Sequence, residues 1–355
     1  METLTPDRRE TSHAGPARMR RRMPVVSVAG VAVAALALLP LGYLLVRSSE
    51  LGWERVFEIA FSDRTRGLLW RTGLLAVSVT ASAVAIAVPV AWLTVRTDVP
   101  LRRFWVIATA LPLAIPTYVG SFAFIGAVGP RGILQSWLEP FGVDSLPALY
   151  GFPGAWIVLT LFTYPYVLLT VRSAVRRLDP SLEEVSRTLG RGRWTTFRRV
   201  VLPQLRPSIV AGSLLVALYT LSDFGAVSML RFDSFTRAIF VQYRASLDRS
   251  TAAVLGLVLV VVTLAVLSGE SLTRRSTSYH RLHSSGARQA PITPLGRWRW
   301  PVFGLLCALV AVALVIPMAV IVTWLLRGLD AGEPLRLTTE LVGNSLRASA
   351  LGALA

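Results

Sequence analysis

Lysine is absent from the 355 residues, and all 37 basic side chains are arginine. The bias reads as an effect of coding GC content, not of function. It does exclude one site: a phosphate loop of the G-x-x-x-x-G-K-[ST] type needs its lysine, so the chain carries no such ATP-binding loop. The single cysteine, Cys307, lies in an apolar run, which rules out a disulfide framework or a Cys-based metal site within the chain. Of the three histidines, His13, His280 and His283, the last two are three apart. With no acidic or cysteine partner nearby, they read as part of a solvated linker. Charge is scarce as well: 16% charged against 53% hydrophobic residues is too apolar for a soluble globule and too poor in charge for a disordered chain.

What remains is a series of apolar runs. A hydrocarbon core about 30 Å thick needs roughly 20 apolar residues of helix. Seven segments supply them: Val25 to Val46, Leu68 to Val95, Phe104 to Val128, Gly151 to Val175, Ser208 to Leu230, Ala252 to Leu272 and Pro301 to Leu326. The first follows Arg18, Arg20, Arg21 and Arg22 like a signal peptide, but it is long and no A-x-A site follows, so it is expected to stay as an anchor.

The net charge of +17 suggests nucleic acid only until the arginines are located. They fall between spans, as topology signals, and no nucleic-acid partner is expected. With the N-terminus in the cytoplasm, the inner segments carry 24 arginines and the outer ones 11. The positive-inside rule is then met at every connection, and the expected location is the inner membrane, multi-pass, with the lipid bilayer as solvent.

Prolines Pro40, Pro89, Pro112, Pro116, Pro165 and Pro317 lie within spans and predict kinks. The order of a span with a central proline, an outer loop and the next span opens the chain and recurs after the 273–300 linker. It runs from Pro40 to Thr72, and again from Pro317 to Ser345. This hydropathy order predicts an internal repeat. The last apolar segment stops at Ala355, about 14 residues in, too short to cross the core. The sequence is therefore expected to be the front part of a longer two-repeat protein.

The longest basic connection, about 176–207, is more than a connector. Asp179 or Ser181 can cap a helix entered through Pro180, Glu183 and Glu184 complement its dipole, and Gly190 ends it. A second short helix is expected from about Trp194 to Val201, with Pro203 and Pro207 breaking the chain before the fifth span. Leu182, Val185, Leu189, Trp194, Phe197 and Val201 give this knob more apolar surface than a loop requires.

Within it, Glu184, Gly190, Val200, Leu202 and Pro203 fall at the spacing of the EAA motif, and the segment resembles that of ABC importer permeases. Val185, Ser186 and Val200 depart mildly from the usual alanines and isoleucine. Leu221 to Ser228 with Phe232, Phe235, Thr236, Ala238, Ile239, Gln242 and Tyr243 resembles the corresponding region of iron(III) importer permeases with two fused six-span halves. The resemblance implies an all-α polytopic transmembrane bundle of the type I ABC importer permease fold. Its parts would be a cytoplasmic tail (1–24), a first six-span repeat (25–272), a cytoplasmic linker (273–300) and the start of a second repeat (301–355). It implies a coupling loop that docks into a dimeric ABC ATP-binding subunit, with Glu183, Glu184, Gly190, Phe197, Val200, Leu202 and Pro203 as its residues. It further implies an extracytoplasmic substrate-binding protein that delivers cargo to outer loops such as 129–150 and 231–251. No cofactor is expected in this chain, since ATP is used by the partner subunit.

Asp223 is a carboxylate well inside an apolar span, which costs on the order of 2.5 to 3.5 kcal/mol on insertion scales. It reads either as part of the translocation path, with Tyr219, or as a cap or helix-pairing group, with Arg231 as a possible partner. Tyr118, Tyr164 and Tyr166 read equally as path residues or as packing and interfacial anchors. Thiamine is the first alternative cargo. A membrane-embedded enzyme would need converging nucleophile, base or metal ligands, and no such set is found. An ion-coupled secondary transporter would show several intramembrane acids.

Overall fold

The structure, a computed structural model, describes residues 23–129, 149–244, 248–275, 292–332 and 339–354, with Gly132, Gln135, Glu139 and Gly142. The helices in chain order are α1 (Met23–Ser49), α2 (Trp53–Ala60), α3 (Asp63–Arg96), α4 (Arg102–Ala108), α5 (Thr117–Val128), α6 (Phe152–Arg177), α7 (Pro180–Thr188), α8 (Arg193–Thr196), α9 (Leu202–Ser222), α10 (Gly225–Met229), α11 (Phe235–Arg244), α12 (Arg249–Arg275), α13 (Arg299–Val310), α14 (Ile316–Asp330) and α15 (Thr339–Leu354). Among the described residues the only extended pairing is a parallel bridge between Thr97 and Thr293. Among the described residues six helices are long and apolar enough to cross a membrane, or seven spans if one bent pair is counted.

The bundle is organised around α6, whose apolar stretch is 72% buried while that of α1 is 0% buried. The face that α3 turns to it is written at intervals of four: Leu75, Val79, Ala83, Ala87 and Ala91 are all fully buried. The three alanines let the backbones approach closely, which is how helices gain packing energy in lipid. Gly212 does the same for α9. A Cβ there would sit 2.7 Å from the Val167 Cα and 2.6 Å from the Thr170 hydroxyl, so any larger residue separates α9 from α6.

The third expected span, Phe104 to Val128, is not one helix. It is α4 and a 3-10 turn over Leu111–Ala114, followed by α5 at 99° to them. Pro112 and Pro116 supply the reason. Each lacks a donor and disfavours helical backbone before it, and they frame the break. The buried carbonyl of Thr109, freed by the break, accepts from the buried Tyr164 hydroxyl at 2.7 Å, so Tyr164 ties α6 to the end of α4.

Pro203 and Pro207 also act differently from expectation. Neither breaks the chain, and helix runs without a gap from Trp194 to Ser222. Pro203 follows a π-turn over Phe197–Val201, and Pro317 likewise follows one over Ala311–Val315. In both places the wider turn makes room for the proline ring against the preceding carbonyls. The Val200 carbonyl accepts from the Gln204 side-chain amide at 2.8 Å. The expected fifth span therefore begins earlier than Ser208, and its helix ends at Ser222, short of Leu230.

The beginning of the 301–355 segment packs on the first bundle. Leu306, Val310 and Ala313 enter its core, Trp105 meets Phe303 edge-on at 5.5 Å, and Phe122 meets Trp324 at 4.5 Å. Most of the 1–24 tail, most of the 129–150 loop and the central part of the 273–300 linker, with all three histidines, lie outside the described residues.

Candidate functional site

The knob is built as its capping residues dictate. The Asp179 side chain accepts from the Ser181 amide at 2.9 Å, Pro180 begins α7, and Gly190 closes it at φ 76°, a left-handed conformation natural to glycine. The chain reverses and is tied back: Arg191 N donates to the Ser186 carbonyl at 3.2 Å, and the buried Ser186 and Thr196 hydroxyls bond at 3.0 Å. With Ser186 and Pro180 inward, the apolar residues are forced outward. Leu182, Val185, Leu189 and Trp194 are 46%, 56%, 72% and 69% exposed. Glu184 and Gly190 lie on the same open surface, and a Cβ on Gly190 would meet nothing within 4 Å.

Two contacts fix the knob to α3. Glu183 reaches Arg96, the last residue of α3, at 3.3 Å, with side chains 13% and 5% exposed. Arg96 also donates to the Leu178 carbonyl at 3.4 Å and covers the Trp92 ring at 5.6 Å. Phe197 sits between Trp92, edge-on at 5.2 Å, and Trp194, stacked at 5.8 Å. Neither Arg96 nor Trp92 was marked by the sequence. Each lies far from the motif in the chain, and the only available signal was an arginine closing a span. The same end of α3 holds the start of the second segment: Thr293 N donates to the Arg96 carbonyl at 2.8 Å, and Leu295 N to Asp98 Oδ1 at 2.8 Å. Val200 and Leu202 are half-buried at the root of the knob, and Pro203 is exposed.

Asp223 and Tyr219 form a separate cluster at the other end of α9, about 30 Å away by helix rise. Asp223 is buried, and both its oxygens are used. Oδ1 accepts from the Ala226 amide at 2.9 Å, capping α10, and Oδ2 accepts from the Thr117 hydroxyl at 2.5 Å. Its carbonyl accepts from the Thr236 hydroxyl at 2.7 Å. Thr117 opens α5, so the carboxylate joins the break in the third span to the break after α9. The Tyr219 hydroxyl is 3.3 Å from the same Thr117 oxygen, and its ring faces Tyr166 at 5.7 Å. Arg231 is engaged elsewhere, over the Tyr150 ring at 5.2 Å. No group of three His, Cys, Asp or Glu side chains among the described residues is arranged to hold a metal ion.

The family model of the binding-protein-dependent transport system inner membrane component matches residues 83–278, a stretch that holds both clusters. The chain belongs to this family. It is 32% identical over 319 residues to the Fe(3+)-transport system permease protein FbpB 2 of Haemophilus influenzae, a match that covers 89% of this chain and 60% of that protein. It is 26% identical over 249 residues to the sulfate transport system permease protein CysT of Escherichia coli, covering 68% of this chain and 89% of the relative. The fold is similar to a chain of a bacterial alginate ABC transporter solved in complex with an alginate pentasaccharide-bound periplasmic protein. The TM-score is 0.58 at 16% identity, covering 72% of this chain and 95% of that one. The bundle is thus an all-α ABC transporter permease fold, and this family member spans 60% of the length of its iron-transport relative.

Proposed function

We propose that the chain forms the membrane path of an ABC importer that moves ferric iron inward. One observation carries the reading: the knob exposes Leu182, Val185 and Leu189 outside every span and Trp194 at the foot of the next one, and is held to α3 by a largely buried ion pair and an aromatic nest. Apolar surface left in water is costly at about 25 cal/mol per Å², so a knob of this kind is built to be covered. Its rigid attachment lets a force applied there move a span. On this reading the knob docks in a dimeric ATP-binding subunit, which hydrolyses ATP for the whole, and the N-terminus and knob are cytoplasmic. Glu184, Gly190, Leu202 and Pro203 belong to the docking surface and its root, while Glu183, Phe197 and Val200 anchor it. An extracytoplasmic binding protein delivers the cargo on the opposite side.

The path is proposed to run beside Tyr219, with Asp223 holding the two helix breaks that shape it. Ferric iron rests on the iron-permease relative; the sulfate relative, matched over most of its own length, supports an oxyanion as the second reading of the cargo. The test is ATP turnover of the assembled transporter in proteoliposomes, supplied in turn with its binding protein and ferric iron, sulfate or thiamine. Stimulation by ferric iron alone supports the proposal. Stimulation by sulfate or thiamine reassigns the cargo, and turnover that no cargo changes removes the importer reading.

A further inference from the structure

Arg102 and Arg103 begin α4, and Arg176 lies in the last turn of α6, where they line one cavity of about 720 Å³. Among the described residues no acidic side chain lines it. Arg103 and Arg176 are exposed, and Arg102 is aligned by its Nε bond to the Thr94 carbonyl at 2.9 Å. Arg172, one turn before Arg176, lies beneath, where its Nη1 donates to the Val106 carbonyl at 2.6 Å. Three arginines thus line one cavity with no counter-charge among the described lining residues, and their mutual repulsion is relieved by an anion.

The rest of the lining is apolar. Leu101, Phe104 and Ile107 are 66%, 53% and 63% exposed. The cavity lies where α3 and α6 both end, at the boundary between their apolar stretches and the polar face that carries the knob. A free inorganic anion has no use for the apolar half; a phospholipid uses both halves at once.

We propose that this cavity binds an anionic phospholipid, its phosphate on Arg103 and Arg176 and its acyl chains against Phe104 and Ile107. The site is independent of the ATP-driven reading, because it uses none of the docking or anchoring residues named for the knob and requires no partner subunit.

The test uses the full chain in uncharged maltoside micelles, with dioleoyl phosphatidylglycerol, dioleoyl phosphatidylcholine and inorganic phosphate as probes, read by native mass spectrometry. Wild type should retain phosphatidylglycerol in preference to phosphatidylcholine. Arg103→Gln with Arg176→Gln should lower retention about thirty-fold, at a factor of about five per arginine. Arg198→Gln with Arg199→Gln, which removes the same charge from the knob, should leave retention unchanged. Equal retention of the two lipids, an equal loss in the control pair, or displacement of the lipid by inorganic phosphate at the same concentration would overturn the proposal. So would competitive exclusion of the lipid by an ATP-binding subunit, which would assign the face to that protein.

Discussion

Arg96, the last residue of a membrane span, lies 3.3 Å from Glu183 in the first turn of the knob, with the Arg96 side chain buried and that of Glu183 13% exposed. Neither Arg96 Nε nor Glu183 Oε1 completes a hydrogen bond. The pair is therefore a weak source of stability and a strong constraint: it matters because removing one partner strands the other. We predict that Glu183→Leu destabilises the chain by about 3 kcal/mol, a typical cost of breaking a buried pair. Arg96→Met combined with Glu183→Leu should recover most of that loss. Thermal unfolding of the four-member mutant cycle checks this, and additive effects would show that the two side chains are not coupled.

Gly190 separates shape from docking. Its left-handed backbone suits asparagine far better than other side chains, and the space around it is open in this chain. Gly190→Asn should keep thermal stability within about 1 kcal/mol while abolishing cargo-stimulated ATP turnover, because the added side chain meets only the docked subunit. Turnover at the wild-type level would remove Gly190 from the docking surface.

Asp223 is spent on structure through both oxygens. Asparagine retains an acceptor for the Ala226 amide and an amide for Thr117, so Asp223→Asn should preserve both folding and transport. Asp223→Ala strands two buried donors and should cost about 2 kcal/mol and impair transport. If Asp223→Asn folds normally yet transports nothing, the negative charge itself acts on the cargo.

The knob should also loosen in acid. The Ser181 amide and hydroxyl hold the Asp179 carboxyl below its ordinary range. A carboxyl depressed in the folded state contributes stability that is present above its unfolded pKa and is lost as pH falls through the folded value. Amide exchange at Ser181 should accordingly rise in acid, after correction for the intrinsic rate. Asp179→Asn, a cap that does not titrate in this range, should remove that rise.

Hydropathy made most of this fold legible, because spanning length and arginine placement are properties of the chain itself. Asp179, Pro180 and Gly190 likewise announced the first knob helix through local capping chemistry. The bend between α4 and α5 was not legible. Pro112 and Pro116 predict a kink, but its angle of 99° is held by Tyr164 and Asp223, which come from distant helices. Pro203 misled because a proline at the start of a helix is tolerated once a π-turn precedes it. The short amphipathic α2, with Phe57 and Phe61 stacked at 6.2 Å, was hidden by its length. The anchor of the knob escaped for a related reason: no local pattern distinguishes Arg96 from the other arginines that end spans.

The side of the membrane that the knob occupies, and what covers it, decide whether it couples the spans to an ATP-binding subunit. In a Cys307→Ser background, Leu189→Cys places one thiol on the most exposed apolar residue of the knob. A membrane-impermeant maleimide should label it in inside-out vesicles but not in right-side-out ones, and the ATP-binding subunit should block that labelling. Labelling from the outer side, or labelling that the subunit leaves unchanged, would contradict the central claim.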